Sequence, residues 1–128
     1  MLDLQGVSKS YGSRTLFRDV THHFGPGLFA LQGPNGIGKS TLLALLSGAQ
    51  PMDAGDVWVH GHSLRRTPVA AKRRLSYVPD ECPVYPFLTG RQFLELVASV
   101  KRCALATPVI DLVEQFGLGP YIDIRFDA

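Results

Sequence analysis

Five short stretches of the sequence have the apolar pattern of β-strands. They are residues 2–7, 16–24, 27–32, 56–60 and 75–78. In residues 56–60 Val57 and Val59 lie at alternate positions, which predicts a half-buried strand. Residues 27–32 are apolar at most positions, which favours a short strand buried on both faces.

Four stretches carry helix signals. Residues 41–46 are an apolar, helix-favouring run that ends at Gly48, and residues 68–74 predict a short basic helix. Thr89 and Gln92 form a capping box in front of an apolar stripe at helical spacing. Thr107 followed by Pro108 is an N-cap with proline at the first helical position, and it precedes a second such stripe. The two stripes predict helix faces that pack into a core. Where nothing covers them, they predict exposed apolar surface that promotes self-association.

Residues 33–41, Gly33-Pro34-Asn35-Gly36-Ile37-Gly38-Lys39-Ser40-Thr41, fit the pattern G-x-x-x-x-G-K-[ST]. Glycines let backbone N–H groups converge on an anion, and a helix beginning near Lys39 turns its positive dipole end toward the same point. Lys39 supplies a mobile cation for phosphates, and the Ser40 hydroxyl can ligate Mg²⁺. A predicted strand, a glycine loop and a predicted helix follow in that order, so the stretch predicts a phosphate-binding loop.

Composition limits the function without identifying it. The chain has 128 residues, a net charge of +2 and two cysteines, Cys82 and Cys103, without metal-ligand spacing around them. The charge is too small to indicate a nucleic acid or an anionic membrane as partner. We expect free thiols, no signal peptide, no membrane span and a cytoplasmic location.

With these elements in place, the whole sequence resembles the N-terminal half of an ATP-binding cassette (ABC) ATPase domain. Residues 33–41 are similar to the family's Walker A loop, and residues 7–12 to its first strand and aromatic loop. The resemblance implies an α/β P-loop NTPase core that is partial. Residues 1–80 would hold an N-terminal antiparallel β region and part of the P-loop core, and residues 81–128 the Q-loop portion and the start of a helical subdomain. It also implies an ATP site, with Tyr11 stacked on adenine. The expected ATP ligands are Tyr11, Gly33, Asn35, Gly36, Gly38, Lys39, Ser40 and Thr41.

Residues 76–81, Ser76-Tyr77-Val78-Pro79-Asp80-Glu81, are similar to the family's Q-loop, with Asp80 where most members have glutamine. A carboxylate oxygen is a better Mg²⁺ ligand than an amide oxygen, so the resemblance implies Ser40 and Asp80 as metal ligands. A solvated loop carboxylate is an equal alternative for Asp80, and Glu81 is the next candidate. Residues 86–93 resemble the corresponding region of ATPases that serve export-type membrane subunits.

Several parts of the family pattern have no counterpart in the sequence. It contains no LSGGQ-like signature, no apolar strand ending in Asp-Glu and no switch histidine. The resemblance therefore implies a truncated ATPase subunit that binds Mg-ATP with little or no turnover, beside a second ATPase subunit and a membrane-spanning transporter subunit. The alternatives are a nucleotide switch acting on nucleic acid and a fragment that only binds nucleotide.

Two further clusters have simpler explanations. The basic residues of 65–74 lack interleaved aromatics, which favours a solvated face over a nucleic-acid site. His60 and His62 supply two ligands without a third, which favours a solvated hairpin end over a metal site.

Overall fold

The computed structural model describes residues 1–80, 84–104 and 107–127. The chain divides into two compact units, Met1–Asp80 and Glu81–Ala128. In the first unit, strands β1 (Leu2–Tyr11), β2 (Arg14–Phe24), β3 (Ala54–Val59) and β4 (His62–Ser63) form one antiparallel sheet in the order β2-β1-β3-β4. This confirms the predicted N-terminal antiparallel region.

Helix α1 (Lys39–Ser47) is bounded by two glycines with left-handed backbone, Gly38 at its start and Gly48 at its end. The Gly48 N–H closes the last turn on the carbonyl of Leu45, 3.1 Å away. Such an ending favours glycine because a Cβ is strained at positive φ. The predicted helix 41–46 is confirmed, although it begins two residues earlier.

The core of the first unit lies between the sheet and helices α1 and α2 (Pro68–Lys72). Its buried apolar side chains are Leu4, Val7, Leu45, Val57, Val59, Leu64 and Ala71. Leu45 is completely buried, so α1 is held to the sheet by the middle of its apolar face. Helix α2 ends two residues before the predicted limit.

Two predicted strands are wrong. Residues 27–32 and 75–78 are not strands, and Leu28, Phe29 and Val78 are largely exposed. A buried parallel strand is stabilised by hydrogen bonds to a neighbour on each side. In the part of the chain that the structure describes, the sheet consists of β1–β4 and offers these segments no such place.

The second unit contains helices α3 (Gly90–Lys101) and α4 (Thr107–Gln115) and a 3₁₀ turn, Gly119–Tyr121. The predicted capping box is confirmed, since the Thr89 hydroxyl accepts from the Gln92 N–H and the Gln92 side chain accepts from the Thr89 N–H. Arg91 forms two hydrogen bonds to Asp123, at 2.7 and 3.0 Å, and lowers the pKa of that carboxyl.

The apolar stripes of α3 and α4 are only partly covered, with Val100 75% exposed and Phe116 72% exposed. Among the described residues, every helix is too short or too polar to span a bilayer.

Strands β1 and β3 approach most closely at Gly55, opposite a bulge in β1 between Gln5 and Ser8. A Cβ on Gly55 would lie 2.3 Å from the Gly6 carbonyl oxygen, and the φ of Gly55 is +81°. Both the clash and the backbone conformation therefore exclude a side chain here.

We expect Gly55→Ala to lower the free energy of unfolding by more than about 3 kcal/mol, measured by urea denaturation. Gly61→Ala is the matched control, because its φ is +80° but nothing lies within 4 Å of its added Cβ. Gly61→Ala should lower the free energy of unfolding only by the conformational cost of a Cβ at positive φ, about 1–2 kcal/mol. Equal losses in the two variants would show that the close approach to Gly6 does not matter.

Candidate functional site: a nucleotide cleft

The glycine loop turns sharply into α1 because all three of its glycines have positive φ, with φ +156° at Gly33. Gly36 has φ +78° and Gly38 has φ +113°. A Cβ on Gly38 would also lie 3.1 Å from the Phe17 ring, whereas one on Gly36 would meet nothing within 4 Å. This backbone brings successive N–H groups toward the start of α1, where the helix dipole is positive.

Lys39 is folded back over the loop. Its Nζ donates to the carbonyl oxygens of Gly33, at 2.7 Å, and Pro34, at 2.8 Å. Lysine carries three ammonium protons and can turn about a flexible stem, so a third proton remains for another acceptor. The ammonium is thus held at the loop while keeping its capacity to bind an anion.

A cleft of about 590 Å³ lies beside the loop within the first unit. It brings together eight of the nine predicted site residues, namely Tyr11, Asn35, Gly36, Gly38, Lys39, Ser40, Thr41 and Asp80. The ninth, Gly33, does not line the cleft, but its carbonyl accepts a hydrogen bond from Lys39. Residues almost 70 positions apart therefore share one concave surface.

The cleft also includes Arg14 and Leu16, which the sequence reasoning did not identify as site residues. Arg14 Nη2 donates to the carbonyl oxygen of Gly36 at 2.8 Å and so ties β2 to the glycine loop. A usable signal was the tight turn after Tyr11, because the hairpin pairs Tyr11 with Arg14. Because Arg14 lies opposite Tyr11, which we expect to stack on a base, Arg14 lies at the same end of the cleft.

Tyr11 stands in a network of polar contacts at the end of β1. The Nζ of Lys9 lies 5.2 Å from the centre of its ring, within the range of a cation–π interaction. Lys9 also donates to Asp53 at 3.1 Å, and Gln50 Nε2 donates to the Tyr11 hydroxyl. The pKa of the Asp53 carboxyl lies below its usual value, chiefly because the Ser10 N–H donates to it and secondly because of Lys9.

Ser40 and Asp80 are the cleft's candidates for holding a metal ion. One hydroxyl and one carboxylate suit Mg²⁺, which proteins commonly hold through one or two oxygen ligands plus substrate phosphates and water. The described residues contain no group of three or more His, Cys, Asp or Glu side chains that could hold a metal without such help. The donor set therefore fits a metal that arrives with a phosphate ligand.

The remaining candidate clusters lie outside this cleft. His60 lies in the turn between β3 and β4, and His62 begins β4, as the hairpin interpretation expects. Among the basic residues, Arg65 donates to the carbonyl of Gly55 at 3.0 Å, and Arg66, Arg73 and Arg74 are exposed. Glu81 and Cys82 lie outside the described residues.

Comparison with known proteins shows the family of this chain. The sequence model described as "ABC transporter" matches residues 18–127. The lantibiotic transport ATP-binding protein SrtF of Streptococcus pyogenes is 31% identical over 93% of this chain and 51% of its own length. The linearmycin resistance ATP-binding protein LnrL of Bacillus subtilis is 36% identical over 73% of this chain and 30% of its own length.

A solved structure shows the same fold. The ATP-binding cassette MJ0796, in a dimeric post-hydrolysis state bound to ADP and Pi, superimposes with a TM-score of 0.80 at 21% identity. The alignment covers 98% of this chain and 61% of that one. The fold is therefore that of a P-loop NTPase of the cassette type, and the chain spans about half the length of SrtF. Together with the family match over residues 18–127, these findings show that this chain belongs to the ABC transporter family.

Proposed function

We propose that this chain binds Mg-ATP in the cleft beside the glycine loop. The observation that carries the proposal is that one 590 Å³ cleft contains the loop, the Lys39 ammonium, the Ser40 hydroxyl and the Tyr11 ring. The triphosphate would lie against the loop and Lys39, and the adenine against Tyr11. Asn35, Gly36, Gly38 and Thr41 would complete the phosphate contacts, and Gly33 would contribute by holding the Lys39 ammonium through its carbonyl.

We further propose that Ser40 and Asp80 hold Mg²⁺ on the nucleotide. When bound, the ion would offset the negative charge of the phosphates. Asp80 has two opposing effects, because its carboxylate attracts the metal and repels the bare triphosphate. Ser40 is the second residue of α1 and lines the cleft together with Asp80.

In its biological setting we propose that the chain acts as the ATP-binding subunit of an export-type transporter. A second ATPase subunit and a membrane-spanning subunit would be its partners, and the latter would hold it at the inner face of the membrane. The family match and the name of SrtF support a transport role. An adjacent gene for a multi-span membrane protein would support this role; association with nucleic acid instead would contradict it.

We expect Lys39→Ala to raise the Kd for Mg-ATP about 10- to 100-fold, because charged hydrogen bonds to phosphate are lost. Isothermal titration calorimetry measures this change. Arg66→Ala is the control, since it removes one exposed positive charge outside the cleft and should leave the Kd unchanged. An unchanged Kd in Lys39→Ala would mean that the loop does not hold the phosphates.

We expect Asp80→Asn to reduce the dependence of ATP affinity on Mg²⁺. The ratio of the Kd in EDTA to the Kd in Mg²⁺ should fall about 3- to 10-fold, because the metal loses a ligand and the bare triphosphate loses a repelling charge. Asp19→Asn is the matched control, because Asp19 is an exposed carboxylate that does not line the cleft. The same ratio in wild type and Asp80→Asn would exclude Asp80 as a metal ligand.

We expect this chain alone to release little or no phosphate from Mg-ATP under conditions that saturate binding. Hydrolysis needs an oriented water and groups that stabilise transition-state charge, and the sequence holds no Asp-Glu-ended strand or switch histidine to supply them. A phosphate-release assay measures this directly. Robust turnover that disappears in Lys39→Ala would overturn the expectation.

A further inference from the structure

Lys9 is a buried lysine whose ammonium has two hydrogen-bond acceptors. The residue is only 8% exposed, and its Nζ donates to the carbonyl of Pro51 at 2.9 Å and to Asp53 at 3.1 Å. Burying an ammonium is unfavourable unless its protons find acceptors. Here two acceptors come from residues more than 40 positions away, and they fix where the charge lies.

The third neighbour of this charge is the Tyr11 ring, whose centre is 5.2 Å from Nζ. Lys9 and Tyr11 are two positions apart on β1, so they share one face of the strand. Because Pro51 and Asp53 hold the ammonium in place, the ring has a fixed cation beside it. The attraction between a cation and an aromatic face then restricts the orientations that the ring can take.

Gln50 restrains the same ring at its other end. Its amide donates to the Tyr11 hydroxyl, and Gln50 follows directly on the turn that ends α1. Tyr11 nevertheless remains 45% exposed and lines the cleft. The ring is therefore held at two points while part of its surface stays open to a ligand.

We propose that Lys9 and Gln50 are positioning residues that orient the Tyr11 ring for stacking on the nucleotide base. They would determine how much of the ATP affinity comes from adenine and how much from triphosphate. An oriented ring loses less conformational freedom when a base stacks on it, so the base contributes more to affinity. This inference rests on the proposed binding of Mg-ATP in the cleft.

The test compares two ligands, Mg-ATP and Mg-tripolyphosphate, the second of which has the three phosphates but no base. Lys9→Met keeps the aliphatic stem and removes the charge, and Gln50→Leu removes the donor to the hydroxyl. In each variant we expect the Kd for Mg-ATP to rise about 3- to 10-fold and the Kd for Mg-tripolyphosphate to change less than about 2-fold. Lys9→Arg, which retains a cation, should preserve the wild-type ratio of the two values.

The decisive experiment repeats these measurements in a Tyr11→Leu variant, which lacks the ring. If Lys9 acts through the ring, Lys9→Met has no further effect on the ratio of the two Kd values once the ring is absent. A further change in that background, equal weakening of both ligands, or no change in either would overturn the inference. If Lys9→Met does not fold, Gln50→Leu decides by the same criteria, because it leaves the buried ammonium in place.

The two levels of the proposal fail differently. A wild-type chain that binds neither ligand overturns the proposed function, and the positioning role with it. A wild-type chain that binds both ligands, with a ratio that Lys9→Met and Gln50→Leu leave unchanged, overturns only the positioning role.

Discussion

The first unit depends on β1 pairing with a strand on each side, β2 through one edge and β3 through the other. This arrangement brings together residues that lie far apart in the sequence. Through β2 it brings Arg14 to the glycine loop, and through β3 it brings Asp53 to Lys9. The bulge at Gly6 and the absent side chain of Gly55 are what allow the second pairing to be so close.

In the cleft, positively charged side chains lie against backbone carbonyl oxygens. Arg14 donates to the carbonyl of Gly36, and Lys39 donates to the carbonyls of Gly33 and Pro34, so these three oxygens face protein cations. An anion would instead bind to N–H groups of the loop. The same principle governs the neighbouring network, where Lys9 is held by a carbonyl and a carboxylate.

Features with local signals could be predicted from the sequence. Gly48 ends α1 and Thr89 caps α3 because each depends on hydrogen bonds within a few residues. The glycine loop could also be predicted, since its pattern defines a backbone and a chemistry together. Eight of the nine predicted site residues line one cleft, and their roles in binding remain predictions.

What the sequence did not reveal depends on distant contacts. Residues 27–32 have the composition of a buried strand, but pairing requires neighbours that composition cannot supply. Lys9 looks like a solvent-facing residue of a strand, and only Pro51 and Asp53 make its burial possible. Arg14 was missed for a similar reason, because its partner Gly36 lies 22 positions away.

The position of Lys39 has a thermodynamic consequence. Its ammonium already makes two short hydrogen bonds, to Gly33 and Pro34, so an incoming phosphate does not meet a freely solvated cation. If the phosphate takes over one of these bonds, binding exchanges one acceptor for another, and the heat released is the difference between the two. If it uses the third proton, the side chain is ordered beforehand and little rotational entropy is lost. In the first case the free energy of binding reflects only the difference between the two acceptors, whereas in the second case the ordered ammonium contributes nearly the full strength of its new contact.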